Sequence, residues 1–245
     1  MNYITPSNLA DFAFVNEDTL VGPLRGICVN FHGYTDATMY TKSTDFAAML
    51  GENGIAWVFP YYSVWAWMSS NSQSFIEQVL DATYEKLHAD AHLPLIITGG
   101  SMGGLTALNY LVRGKRKATA CALECPLADM HRFFMDRPNV RRAILNAHIE
   151  KEGDLHEITK AYSPVYFADR LPAIPYLAVY GEKDDYFTSV QMPLLVDTLD
   201  RHGLEHTVWV QPNMAHCAIG DHPDALSKYG DFIVSAVRSG GEKAK

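Results

Sequence analysis

Short apolar runs alternate with amphipathic ones along most of the chain. Residues 26–31, 55–59, 95–98, 118–124, 176–180 and 206–210 are dense in aliphatic and aromatic side chains and are closed by Gly, Pro or polar residues. Runs of this length with such punctuation predict buried strands. Between them, apolar positions recur at helical spacing. In residues 41–53, Phe46, Met49 and Leu50 share a face and Gly54 supplies the stop. In residues 72–88, Phe75, Ile76, Val79, Leu80, Tyr84 and Leu87 form a longer stripe. Residues 105–112, 192–202 and 226–237 complete the predicted helices. Strands that are apolar on both faces, separated by helices, imply an α/β fold with a mostly parallel sheet covered on both sides.

One stretch breaks the rhythm. Residues 127–172 are long and polar, helical only in pieces, with Phe133 and Phe134 early and Tyr162, Tyr166 and Phe167 late. The expectation is a single domain over residues 1–245 with a cap insertion around 127–172. The tail, residues 239–245, is expected to fray.

Composition narrows the function classes. The 245 residues carry a formal net charge of −8, with 48% hydrophobic and 20% charged residues, which fits one soluble α/β domain. An acidic balance disfavours nucleic acid and anionic membranes as partners. The basic run Arg113-Gly114-Lys115-Arg116-Lys117 falls where a helix should end and complements its dipole. No leader-like segment and no membrane-length apolar stretch is visible, so the expected location is cytoplasmic. Cys28, Cys121, Cys125 and Cys217 show no zinc-like spacing, and Cys28 and Cys121 read as buried thiols. Neither a metal nor a cofactor is expected.

The most telling local pattern is Gly99-Gly100-Ser101-Met102-Gly103-Gly104, between a predicted strand and a predicted helix. A serine flanked by glycines at minus two and plus two is the nucleophile-elbow pattern. The turn is sharp, and side chains at the glycine positions would clash. It lifts the hydroxyl above the sheet edge at a helix start, where free N–H groups favour negative charge. A serine nucleophile needs a base and an acid that orients it. His216, in the loop after the strand 206–210, is the candidate base. Asp184, after the strand 176–180, is the candidate acid, with its neighbour Asp185 and Glu124 as alternatives. The oxyanion donors are assigned to the backbone N–H groups of Met102 and Tyr34, Gly33 allowing close approach, while His32 is given a structural role. Tyr34, Trp65, Trp67 and Phe133 are the candidate substrate-binding residues, suited to an apolar or aromatic group.

Four segments together, His32-Gly33-Tyr34, Gly99 to Gly104, Gly181 to Phe187 and Met214-Ala215-His216, resemble the α/β-hydrolase superfamily over roughly residues 20–238. The chain order serine, acid, histidine is similar to that of this fold. Ser163-Pro164, the stretch Leu171-Pro172-Ala173-Ile174-Pro175 and the double glycine Gly103-Gly104 resemble single-domain relatives of the prolyl oligopeptidase and dienelactone hydrolase group. That resemblance implies an eight-stranded sheet, with the first strands between residues 9 and 20, and a cofactor-free esterase or peptidase. The chain has no room for the propeller of prolyl oligopeptidases, and its nucleophile is serine where familiar dienelactone hydrolases use cysteine. The leading expectation is therefore a carboxylesterase acting on a small-molecule ester. A small peptidase or amidase is the second reading, and a non-catalytic binding protein the third.

Overall fold

A computed structural model describes residues 3–185 and 187–243. Seven strands among them form one sheet: β1 (Ala13–Val15), β2 (Gly26–Phe31), β3 (Ile55–Pro60), β4 (Leu95–Gly100), β5 (Ala120–Glu124), β6 (Tyr176–Gly181) and β7 (His206–Gln211). Their order is β1-β3-β2-β4-β5-β6-β7, parallel throughout except for β1, which runs antiparallel to β3. The expected eight strands are thus seven. The segment ahead of Arg25 contributes only three strand residues, because short 3-10 turns at Leu9–Asp11 and Glu17–Thr19 flank them. The buried Asn16 side chain closes β1: its Oδ1 accepts from Trp57 N–H (2.6 Å) and its Nδ2 donates to the Ala47 carbonyl (2.7 Å).

The helices are α1 (Asp45–Glu52), α2 (Ser70–Lys86), α3 (Met102–Arg113), α4 (Met130–Asp136), α5 (Pro138–Ala147), α6 (Leu155–Ala161), α7 (Pro164–Phe167), α8 (Met192–Arg201) and α9 (Pro223–Lys243). Capping explains where several begin. Thr44 accepts from Ala47 N–H and caps α1, which begins four residues later than periodicity alone suggests. Ser69 does the same for α2 through Ser72 N–H. Pro138 occupies the first position of α5, where its missing N–H costs nothing. Instead of fraying from Ser239, α9 continues to Lys243. Gly240 lies so close to Pro94 that a Cβ there would sit 3.1 Å from the proline ring, so the helix end is packed down. The last part of the expected tail, residues 244–245, lies outside the described residues. No described helix is long and apolar enough to cross a membrane.

The topology creates one privileged edge. From β2 the chain crosses to β3 on one side, and β4 then pairs with β2 on the other. The connections after β2 and β4 therefore diverge at a switch point, where open α/β sheets place ligands. Residues 127–172, with helices α4 to α7, lie between β5 and its direct neighbour β6.

Candidate active site

Ser101 follows the last residue of β4 and precedes α3. Its backbone is left-handed and strained, φ 53° and ψ −118°. Such a conformation costs about 1–3 kcal/mol and persists only when its surroundings enforce it. Here Ser101 N–H donates to the Glu124 carbonyl (3.0 Å), while the Ser101 carbonyl accepts from Leu127 (3.1 Å) and Leu105 (3.2 Å). The glycines are required by contact. A Cβ on Gly103 would sit 2.0 Å from the Phe31 carbonyl oxygen, and one on Gly99 would sit 2.4 Å from that of Gly103.

His216 and Asp184 are brought together across 32 positions: the imidazole Nδ1–H donates to Asp184 Oδ2. The other carboxylate oxygen, Oδ1, accepts from Phe187 N–H (3.1 Å). The two loops are fastened to each other. Lys183 N–H donates to the Met214 carbonyl (2.9 Å), Asn213 N–H to Glu182 Oε2 (2.9 Å), and a Cβ on Gly181 would strike the Met214 oxygen at 2.2 Å. Asp184 is 7% exposed. Burial is the largest single effect and works against its charge, but the hydrogen bond and charge of His216, with the Phe187 N–H, together hold the carboxyl below its usual value. Burial is likewise the largest single effect on His216 and opposes its charge, yet Asp184 and the Cys125 sulfur together raise the imidazole to about 9. Asp185 is exposed. Glu124 makes no hydrogen bond to His216: burial pushes its carboxyl up to about 7, and its Oε1 accepts from Ile219 N–H (2.8 Å).

The loop after β2 stands directly over the serine, since a Cβ on Gly33 would lie 3.7 Å from Ser101 Cβ. Among the described residues, neither Tyr34 N–H nor Met102 N–H donates to a protein acceptor. His32 underpins this loop: Nε2–H donates to the Tyr62 carbonyl (3.1 Å), and the ring stacks on Tyr62 at 3.9 Å.

Ser101, Met102 and His216 open onto a cavity of about 240 Å³ walled by Tyr34, Trp67, Leu127, Phe133 and Phe187. The rings form a continuous chain: Tyr34 to Trp67 (5.3 Å), Trp67 to Phe133 (6.1 Å), Phe133 to Phe187 (6.0 Å) and Phe187 to His216 (4.4 Å). Trp65 is the exception among the expected pocket residues. It is 51% exposed and borders a separate hollow with Ser63 and Ala143. Trp67 and Met68 both take left-handed backbones, φ 44° and 51°, which turn the chain so that Trp67 faces the cavity and Trp65 does not. On the other flank of Ser101 a larger groove, about 680 Å³, runs past Tyr34, Glu124 and Cys217.

Leu127 and Phe187 were not among the candidates, although each follows a strand end by a few residues, as site residues in such sheets do. Cys125 and Cys217 carry no sequence signal of a shared site, because 92 positions separate two residues that the fold sets beside His216.

Comparison with known proteins places these features in a family. Residues 66–238 match the prolyl oligopeptidase family. No curated protein matches the chain. Among solved structures, it is similar to a puromycin-hydrolyzing peptidase of Mycobacterium tuberculosis, with 18% identity and a TM-score of 0.69, over 92% of this chain and 36% of that one. It is similar to esterase B from Lactobacillus rhamnosis, with 14% identity, a TM-score of 0.65 and 92% and 79% coverage. An S-formylglutathione hydrolase from Agrobacterium tumefaciens gives 14% identity, a TM-score of 0.67 and 92% and 88% coverage. The chain thus spans about a third of the peptidase and most of the two smaller enzymes. The family match over most of the chain makes it a member of the prolyl oligopeptidase family, and the structural likenesses show an α/β-hydrolase fold.

Proposed function

We propose that the chain hydrolyses carboxylic esters of small molecules through an acyl-enzyme on Ser101. The observation that carries this reading is the strained Ser101 opening onto a cavity shared with the Asp184-bonded His216. In the proposed cycle Ser101 Oγ attacks the ester carbonyl carbon and its proton passes to His216 Nε2. The oxyanion accepts from Met102 and Tyr34 N–H, two donors with no competing protein acceptor. The alcohol departs with the proton from His216. Water then attacks the acyl-enzyme, giving its proton to His216, and the acid leaves as the proton returns to Ser101. Asp184 keeps Nδ1 protonated, so that Nε2 is the basic nitrogen, and stabilises the imidazolium.

The small, aromatic-walled cavity suits a short acyl or aromatic group, and helix α4 caps it through Phe133. Labelling with a fluorophosphonate probe, beside Ser101→Ala, followed by a p-nitrophenyl ester panel, tests the reading. Labelling and turnover lost together in the variant support it; folded wild type that takes no label overturns it. A second reading, cleavage of aminoacyl or prolyl amides, is favoured by the family match and by the likeness to a puromycin-hydrolyzing peptidase. Faster turnover of an aminoacyl amide than of the matched ester would select it.

A further inference from the structure

Three soft donors surround the proposed base. One ligand atom from each of Cys125, His216 and Cys217 lies within 4.8 Å of the other two. His216 Nδ1 is committed to Asp184, so Nε2 is the nitrogen left for a metal, and it lies 3.7 Å from Cys217 Sγ. Ligands about 2.0–2.3 Å from a tetrahedral zinc ion stand roughly 3.5–3.8 Å from each other, so the Cys217–His216 pair already fits and Cys125, within 4.8 Å of both, has at most about 1 Å to close. A carboxylate behind a metal-binding histidine is also the usual supporting arrangement, fixing the tautomer and the ring orientation.

The donors are held rather than loose. Cys125 N–H donates to the Val179 carbonyl at 2.7 Å, and both cysteines take left-handed backbones, φ 41° for Cys125 and φ 51° for Cys217. Cys125 is buried, whereas Cys217 and His216 border the 680 Å³ groove beside Ser101, which gives an ion a route in. Two thiolates and one neutral imidazole match the charge and softness of Zn²⁺, with the fourth position left to water from the groove.

We propose that Cys125, His216 and Cys217 form a binding site for a thiophilic divalent cation of the zinc type, and that the bound ion holds the hydrolase inactive. Its inhibitory half rests on His216 being the base of the proposed function. Binding requires both cysteines as thiolates and Nε2 unprotonated, so the protons these groups carry go to solvent and the lone pair of His216 Nε2 goes to the metal. The nitrogen then has nothing with which to take the Ser101 proton. Chelation reverses each step without any redox change.

The test uses reduced, chelator-treated protein. Co²⁺ serves as the spectroscopic probe of thiolate ligation, and calorimetry with Zn²⁺ gives the stoichiometry. One equivalent of Zn²⁺ should bind, and Co²⁺ should give a thiolate charge-transfer band in wild type and in Ser101→Ala. The band should be lost in Cys125→Ser and Cys217→Ser. Fluorophosphonate labelling of wild type should stop at one equivalent of Zn²⁺ and return with EDTA. Cys217→Ser, altered at an exposed position, should need at least roughly tenfold more Zn²⁺ for the same inhibition. The proposal is overturned if labelled, active wild type shows no charge-transfer band. It is equally overturned if zinc inhibits wild type and Cys217→Ser at the same concentration. Cobalt ligation by both thiols in a protein that takes no label would support the site and sink the hydrolase reading together with the inhibitory half that rests on it.

Discussion

Gly103 shows how little freedom the nucleophile turn has. A methyl group there would have to occupy space 2.0 Å from the Phe31 carbonyl oxygen, a backbone atom in β2 that cannot withdraw. Gly103→Ala is expected to destabilise the protein by more than about 2 kcal/mol, read as a lower urea midpoint. It should abolish fluorophosphonate labelling even in the fraction that folds. Asp184→Asn makes a different statement. The carboxylate is buried against His216, and an amide of the same shape favours the wrong imidazole tautomer. Turnover should fall by roughly 10⁴ with the melting temperature nearly kept. Full activity would move the acid role elsewhere. Ser101 was legible in the sequence because glycine spacing reports a backbone constraint directly. Choosing Asp184 over Asp185 rested on counting from a strand end, and burial separates the two. Trp65 and Trp67 could not be separated that way, since the left-handed turn at Trp67 and Met68 leaves no residue signature: neither is glycine.

At the scale of elements, His148 at the end of α5 is a hidden tether. Its Nε2–H donates to the Trp67 carbonyl at 3.0 Å, joining the helical segment to the loop that walls the cavity. Burial lowers the imidazole to about 4, with Lys151 and Arg113 adding to the effect and the Trp67 carbonyl opposing it. A group whose folded value is depressed from 6.5 stabilises the fold fully above about pH 6.5. The contribution is lost as pH falls through about 4, roughly 3 kcal/mol at the limit. Unfolding free energy should therefore decline from pH 6.5 to 4, and His148→Gln should flatten that decline. An identical slope in the variant would remove the tether from the account. Phe133 on α4 belongs to the same wall. Phe133→Ala should shift the p-nitrophenyl ester preference toward longer acyl chains, read as the ratio of kcat/KM for octanoate over acetate. Periodicity placed the sheet-covering helices within a few residues, and the errors came at caps such as Thr44 and Ser69, whose hydroxyls decide the start. The helices α4 to α7 were visible only as a broken rhythm, because α4, α6 and α7 have seven residues or fewer and α5, whose buried Val140, Ala143 and Ile144 do share a face, is the one longer helix among them.

For the whole molecule, what the sequence conveyed best was connectivity. Alternating apolar runs and helices specify a parallel sheet. Two loops following neighbouring strands β2 and β4 then have to meet, as Gly33 and Ser101 do. What stayed hidden was convergence at long range: Cys125 reaches Cys217 only because β5, β6 and the β7 loop lie side by side. The same neighbourhood has a consequence for how the protein can change. The chain leaves the sheet at Glu124 and re-enters at Tyr176, on a strand hydrogen-bonded to the one it left. Everything between is a detour whose two ends the sheet fixes, and whose interior is fastened at a few points, to Trp67 through His148 and to α3 through Asn109 and Arg113. Such a cassette can lengthen, shorten or be exchanged while the sheet keeps serine, acid and histidine in place. Substrate preference in this architecture is therefore free to drift quickly over a reaction that stays the same.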